Sequence, residues 1–331
     1  SYDRGDYDEF GNPTEPAFAR RIVTPVTAYY NYSTQASRKN LKREFLPDLG
    51  VSNNCVACHS GTVAGSTIKL ISPKVGGKSG SFWNSTPFID PHGMGGAGLF
   101  FAKTGYTFPT TSTRNYIPTG FAHDSIDDPY YGGQGACVAC HLYTDKQHLF
   151  SPISSAGNGV VSKIIAFDQV CSICHDGGVQ PVDLNNPANL DAKKQGFISS
   201  LKALAAVLAT KGIYYNPSLA PYFFNVSDPA QQGPANTYYT AWNALNGTGI
   251  YSGEVLMGVA FNLRLLWSDA GAYAHNDVYA KKLLYDSIDV AYDGIQDLDA
   301  GSAIGALATD SGSFTADDKT RALAYIGVRP Q

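Results

Sequence analysis

All six cysteines of the chain fall within three copies of one five-residue pattern: Cys55-Val56-Ala57-Cys58-His59, Cys137-Val138-Ala139-Cys140-His141 and Cys171-Ser172-Ile173-Cys174-His175. Cys-x-x-Cys-His is the attachment signature of c-type haem. Each thiol adds across a vinyl group of the porphyrin, and the two-residue spacer matches the separation of the two vinyls. The adjacent His is then delivered to the iron as its proximal ligand. A Cys-x-x-Cys pair alone would suit a thioredoxin-like redox site or half of a zinc site. Neither explains a His after every copy, and three units do not divide into the paired motifs that a four-ligand zinc site uses. No cysteine remains for a disulfide or a nucleophile. The pattern predicts three covalently attached c-type haems, anchored by Cys55, Cys58, Cys137, Cys140, Cys171 and Cys174. Their proximal iron ligands are His59, His141 and His175.

Each iron has a sixth position, and axial-ligand identity is a main lever on its potential. The remaining histidines are His92, His123, His148 and His275, four imidazoles for three places, and all four are candidate ligands. His148 follows His141 by seven residues. If the motif helix continues that far, both imidazoles face one side, ~10 Å apart along the axis. They then serve two neighbouring irons rather than one. His92 and His123 sit between the first two motifs, within reach of either haem. His275 stands alone in a helical region and can dock that region onto a haem, or serve a haem of an adjacent subunit. Met94 competes with His92 for the same place, and Met257 lies in a helical apolar run where a core role fits better.

Three segments must position these groups. Residues 1–50 hold no His or Cys and read as an extended arm, with a strand-like run from Arg21 to Tyr32 and a short basic helix around Arg38 to Leu46. Residues 51–180 form the three-haem region. From Ser60 to Gly135 it is rich in Gly, Ser, Thr and Pro with little helical periodicity, so loops are expected to bury against porphyrin and not to fold without it. Residues 181–331 read as a mainly α-helical unit without haem motifs. Helices are predicted over Asn189–Lys211, ended by Gly212, over Glu254–Trp267, and over Asp277–Ala291 after an Asn276 cap. Thr315-x-x-Asp318 resembles a capping box that opens a last helix. The expected fold class is thus a multihaem cytochrome c, with a loop-rich, haem-wrapped region of little regular structure and a mainly α-helical C-terminal unit.

Composition narrows the setting. Of 331 residues, 44% are hydrophobic and 16% charged, which fits a folded chain. The longest apolar stretch, Leu201 to Ala209 interrupted by Lys202, is far short of the ~20 residues of a membrane span. A net charge of −4, made more negative by haem propionates, argues against nucleic acid and anionic membranes as partners. Covalent haem attachment normally takes place outside the cytoplasm, so the chain, which begins at Ser1, reads as a mature exported protein. The acidic run Asp289–Asp299 misses the spacing of an EF-hand loop.

The motif residues carry a wider likeness. Gly253-Glu254-Val255-Leu256-Met257-Gly258, Gly271-Ala272-Tyr273-Ala274-His275-Asn276 and Leu283-Leu284-Tyr285-Asp286-Ser287-Ile288-Asp289 resemble the tail of outer-surface multihaem cytochromes of metal-reducing bacteria. Cys140-His141 followed by His148-Leu149-Phe150 is similar to a recurring haem-plus-His element of that group, some members of which polymerise into extracellular filaments. The resemblance implies long-range electron transfer at the cell surface or outside the cell, through closely spaced bis-histidine haems. The implied partners are other cytochromes or copies of itself, as in a homopolymeric filament, and an extracellular electron acceptor. Two alternatives stay open. One is a multihaem oxidoreductase with one open haem site for nitrite, hydroxylamine or peroxide; the other is a monomeric periplasmic electron carrier.

Overall fold

A computed structural model describes residues 25–31, 41–93, 95–109, 115–116, 123, 126, 135–142, 151–157, 159–175, 183–245 and 249–331. His148 and Met94 therefore lie outside the described residues, as do Arg38 and Lys39 of the predicted basic helix.

The chain enters through an antiparallel pair, β1 (Thr27–Asn31) and β2 (Leu41–Phe45), in register from Thr27↔Phe45 to Asn31↔Leu41. This corrects the helix predicted around Arg38 to Leu46. Pairing with β1 overrides the helical preference of the basic residues, and Arg43 lies over the Tyr29 ring, 5.8 Å from its centroid, as a cross-strand contact. The buried face of the pair, with Ala28 and Tyr30, joins Leu46, Leu49, Val56, Ala97 and Phe100 in a small core. The described part of the arm thus packs on the first haem motif of its own chain.

That motif forms α1 (Asn53–His59), followed by α2 (Gly65–Ile71) and α3 (Gly96–Phe100). The second motif is α4 (Gly135–His141); the third begins in a π-helical turn, Phe167–Cys171, and ends in α5 (Ser172–His175). Between them lies a small hairpin of β3 (Ile153–Ser155) and β4 (Val161–Ile164). The C-terminal part is built from α6 (Pro187–Ala209), α7 (Gly253–Ser268), α8 (Ala272–His275), α9 (Asp277–Asp293), α10 (Ala300–Ala306) and α11 (Ala316–Ile326). A two-residue pair, β5 (Tyr214–Tyr215) with β6 (Phe223–Phe224), follows α6.

Local chemistry sets these boundaries. Pro187 occupies the first turn of α6 behind an Asn186 cap, whose side-chain oxygen accepts the Ala188 N–H. Ser252 caps α7 and Asn276 caps α9 in the same way. The Thr315–Asp318 capping box opens α11, and the same Asp318 carboxylate accepts from Ser199 and Lys202 on α6 at 3.0 Å. The acidic run after α9 is likewise engaged: Asp289 accepts the Leu298 and Asp299 N–H groups, and Asp299 caps α10.

Helix α7 is buried nearly all round, which identifies a core helix rather than a surface one. Its neighbours come from both sides of residue 180. Ile68, Trp83, Phe88, Leu99, Tyr106 and Phe108 share one hydrophobic cluster with Val255, Leu263, Leu284 and Ile288. Where composition predicts loops that bury against porphyrin, the described residues of 60–109 contain α2 and α3 and a row of buried aromatics. Asn262 of α7 treats Tyr106 as a strand would: it accepts the Tyr106 N–H at 2.7 Å and donates to the Tyr106 carbonyl at 2.8 Å. Trp83 and Trp242 are fully buried, their indole N–H groups donating to the Gly77 and Thr86 carbonyls. Met257 is a core residue whose sulfur accepts the Ile89 N–H.

A buried charge pair joins the C-terminus to the segment that leads toward His123. Arg329 grips Asp286 through two donors, Nε at 2.7 Å and a terminal nitrogen at 2.8 Å, and also donates to the Asn115 carbonyl. Tyr116 donates its hydroxyl to the same carboxylate. Removing one partner of such a pair strands the other charge in the core. Arg329→Met is expected to lower unfolding stability by about 3–5 kcal/mol, read from urea-denaturation midpoints. A loss under ~1 kcal/mol would mean that the pair is not buried as described.

Candidate haem sites

The three motif helices are brought together by their own flanks. Ser52, which begins α1, accepts the Val138 N–H of α4 through its hydroxyl at 3.0 Å. Gly135, at φ +71°, passes so close that a Cβ there would lie 2.1 Å from the Leu49 carbonyl oxygen. The second motif is therefore docked on the turn that starts the first. Cys137 and Cys55 lie against each other, and this contact holds the Cys55 thiol below the usual thiol range while it and burial raise Cys137. On its other side, burial pushes Cys140 up to about 12, and the neighbouring Cys171 of the third motif adds to the rise. One cysteine of the middle motif thus faces each neighbour. None of the six is in a disulfide.

The non-motif histidines divide clearly. His275, at the end of α8, sits with its ring centre 6.2 Å from that of His141, the rings inclined at 48°. His123 stands 6.4 Å from His175, inclined at 70°. Two imidazoles on opposite faces of one iron, each with a metal–nitrogen bond of about 2.0 Å, have ring centres ~6.3 Å apart. The residues present fit haem iron at both places.

Each of these rings has its Nδ1 committed to an oxygen. His275 Nδ1 lies 2.8 Å from Asp269 Oδ2, and His123 Nδ1 lies 3.1 Å from the Ala274 carbonyl. Such outer partners fix ring orientation, and Nε2 of each ring would be the nitrogen to hold an iron there. They also separate the two rings electrostatically. Burial works against a charged His275, but the Asp269 carboxylate outweighs it and holds the imidazole above its ordinary pKa. Burial lowers His123, and the neutral Ala274 carbonyl offsets this only in part.

Two glycines make room for the His275 ring. A Cβ on Gly271 would lie 2.8 Å from its Cε1, and one on Gly96 would lie 3.4 Å from the same atom. Asn276, the next residue, donates to the Phe100 carbonyl at 2.9 Å and so pins the start of α9 to the end of α3. Gly95, Gly96 and Gly98 are thus close-packing positions.

His59 ends α1 and is exposed; among the described residues no imidazole is paired with it. His92 is also exposed, in the left-handed region at φ +62°, with Nδ1 2.8 Å from the Asp90 carbonyl oxygen. Asp90 in turn lies 3.7 Å from Arg264 of α7, which ties the His92 loop to the core helix. Helix α4 closes at His141, and the stretch toward His148 lies outside the described residues. Asp269 and the Ala274 carbonyl were not readable as site groups. An acid six residues before a histidine is a weak signal, and a backbone carbonyl leaves none.

Over most of its length the chain is similar to polyhaem c-type cytochromes. The C-type polyheme cytochrome OmcB of Geobacter sulfurreducens is 37% identical over 295 residues, covering 85% of this chain and 36% of that protein. OmcC of the same species is 35% identical over 292 residues, covering 85% and 35%. The chain spans about a third of the length of these curated relatives. No family model and no solved structure matches it. No helix among the described residues is long and apolar enough to cross a membrane.

If all three motifs carry haem, every cysteine is a thioether. Iodoacetamide added to the denatured, reduced holoprotein is then expected to label none of the six, as read by peptide mass spectrometry. A label on either cysteine of a motif would show that its motif is not fully loaded.

Proposed function

We propose that this chain is a triheme electron-transfer protein that closes its irons with pairs of histidines and performs no substrate chemistry. The observation that carries this reading is the pair of imidazole spacings, 6.2 Å for His141 with His275 and 6.4 Å for His175 with His123. Both match the span across one iron. Bound haem supplies a one-electron couple at each position. His59 takes its partner from His92 and His148.

The haem order follows the chain, with the His141 haem in the middle. Support comes from both sides of α4. Its start packs on Ser52 and Cys55 of the first motif. At the other end, Ala274 holds the ring paired with His175 while the adjacent His275 faces His141. A middle haem with a neighbour on each side is what a conduit needs. The exposed His59 end is the natural exit, toward another cytochrome, an extracellular acceptor or a further copy of the chain. Assembly of copies into a filament extends the same reading. Attachment of haem outside the cytoplasm supports a place at the cell surface or, failing that, in the periplasm.

The exposure of His59 also favours a second reading, an oxidoreductase whose first haem keeps an open site. Low-temperature electron paramagnetic resonance of the oxidised holoprotein, with carbon monoxide titration of the reduced form, separates the two. The electron-transfer reading predicts three low-spin signals and no carbon monoxide binding. A high-spin signal that an added ligand abolishes would replace it with the oxidoreductase reading.

A further inference from the structure

We propose that Asp269 is a positioning residue that sets the potential of the haem between His141 and His275, making it the lower of the two haems whose ligands meet at Ala274-His275. The inference rests on the bis-histidine reading above.

Asp269 terminates α7, and its carboxylate is fixed from two directions. Oδ1 accepts the Gly271 N–H at 3.0 Å, and Oδ2 lies 2.8 Å from His275 Nδ1. The residue is 9% exposed, so water competes little for that second oxygen. With Gly96 and Gly271 against Cε1, the imidazole has little room to turn away from its acceptor. A hydrogen bond from N–H to a carboxylate is roughly twice as strong as one between neutral groups. It draws the Nδ1 proton toward Asp269, raises the basicity of Nε2 and makes His275 a stronger donor. A stronger donor beside a fixed negative charge favours the ferric ion, the more positive of the two oxidation states, and so lowers the potential.

The chain contains its own control. His123 has the same Nδ1 arrangement on a neutral amide carbonyl, at 3.1 Å. Among the described residues, the charged side chains that act on it, Lys193 and Asp277, pair with each other at 2.7 Å. At Nδ1 the two rings differ in the charge of the acceptor. Asp269→Asn keeps the size of the side chain and an acceptor oxygen but removes that charge.

The test is a spectroelectrochemical titration of the three-haem holoprotein. His275→Met and His123→Met each raise one step, because a His/Met pair raises the potential, and so assign the steps in the unaltered protein. Asp269→Asn is then expected to raise the His275 step alone. At fixed poise its reduced-to-oxidised ratio should change about tenfold, or about 59 mV for one electron, with the His123 step unmoved. The unaltered protein provides a reading that needs no Asp269 variant: the His275 step must lie below the His123 step. An unmoved His275 step in Asp269→Asn, or the reverse order in the unaltered protein, would overturn the role of Asp269 and leave the bis-histidine pairing standing. If His275→Met moved no step at all, the pairing itself would fail, and the proposal with it.

Discussion

The short turn between α7 and α9 is the constraint on which the proposed haem sites depend. Within seven residues it places the Asp269 carboxylate on one imidazole, the Ala274 carbonyl on another, and the His275 ring opposite His141. These groups hold their positions because the flanking helices cannot move. Helix α7 is surrounded by protein, and α9 is capped by Asn276, which also bonds the Phe100 carbonyl of α3. On the proposed reading, a rigid helical core presents distal ligands to haems whose proximal ligands come from three short, separate helices. The core acts as a jig, and the motif helices supply the covalent anchors.

Such a jig needs close contact between the haem-bearing segments and the helices, and the glycines provide it. Side chains at Gly96 or Gly271 would crowd the His275 ring. The polar bonds are equally economical, since Asn262 satisfies both backbone groups of Tyr106 where no strand could reach. At the far edge, Asp286 gathers Arg329 and Tyr116 into one buried cluster, seven residues from His123. An unpaired charge there would be costly, which gives the Asn115–Tyr116 segment a fixed place. His123 and His275 are each held by a polar contact with the turn between α7 and α9, at Ala274 and Asp269.

How much of this was legible depends on the range of the interaction that fixes each part. The motifs are a local pattern, legible because six cysteines fall in three identical frames. The long helices were also legible, because caps and periodicity are local: Asn276 and Thr315 stand where the chain pattern puts them. The strand Leu41–Phe45 was not, since its conformation is set by a partner ten or more residues earlier. Gly95, Gly96 and Gly98 looked like loop because their value lies in what they pack against. Sequence also named His123 and His275 as ligand candidates without indicating their partners; those pairings arise from contacts over 52 and 134 residues of chain. His148 remains a candidate on sequence grounds.

The most direct measurement is the location of the irons, from anomalous diffraction at the iron edge on crystals of the holoprotein. The account predicts three iron positions, one midway between the rings of His141 and His275 and another midway between those of His175 and His123. The His141 iron should be the nearest neighbour of both others. An iron bound to His141 with His275 well outside coordination distance, or a middle position taken by another haem, would contradict it.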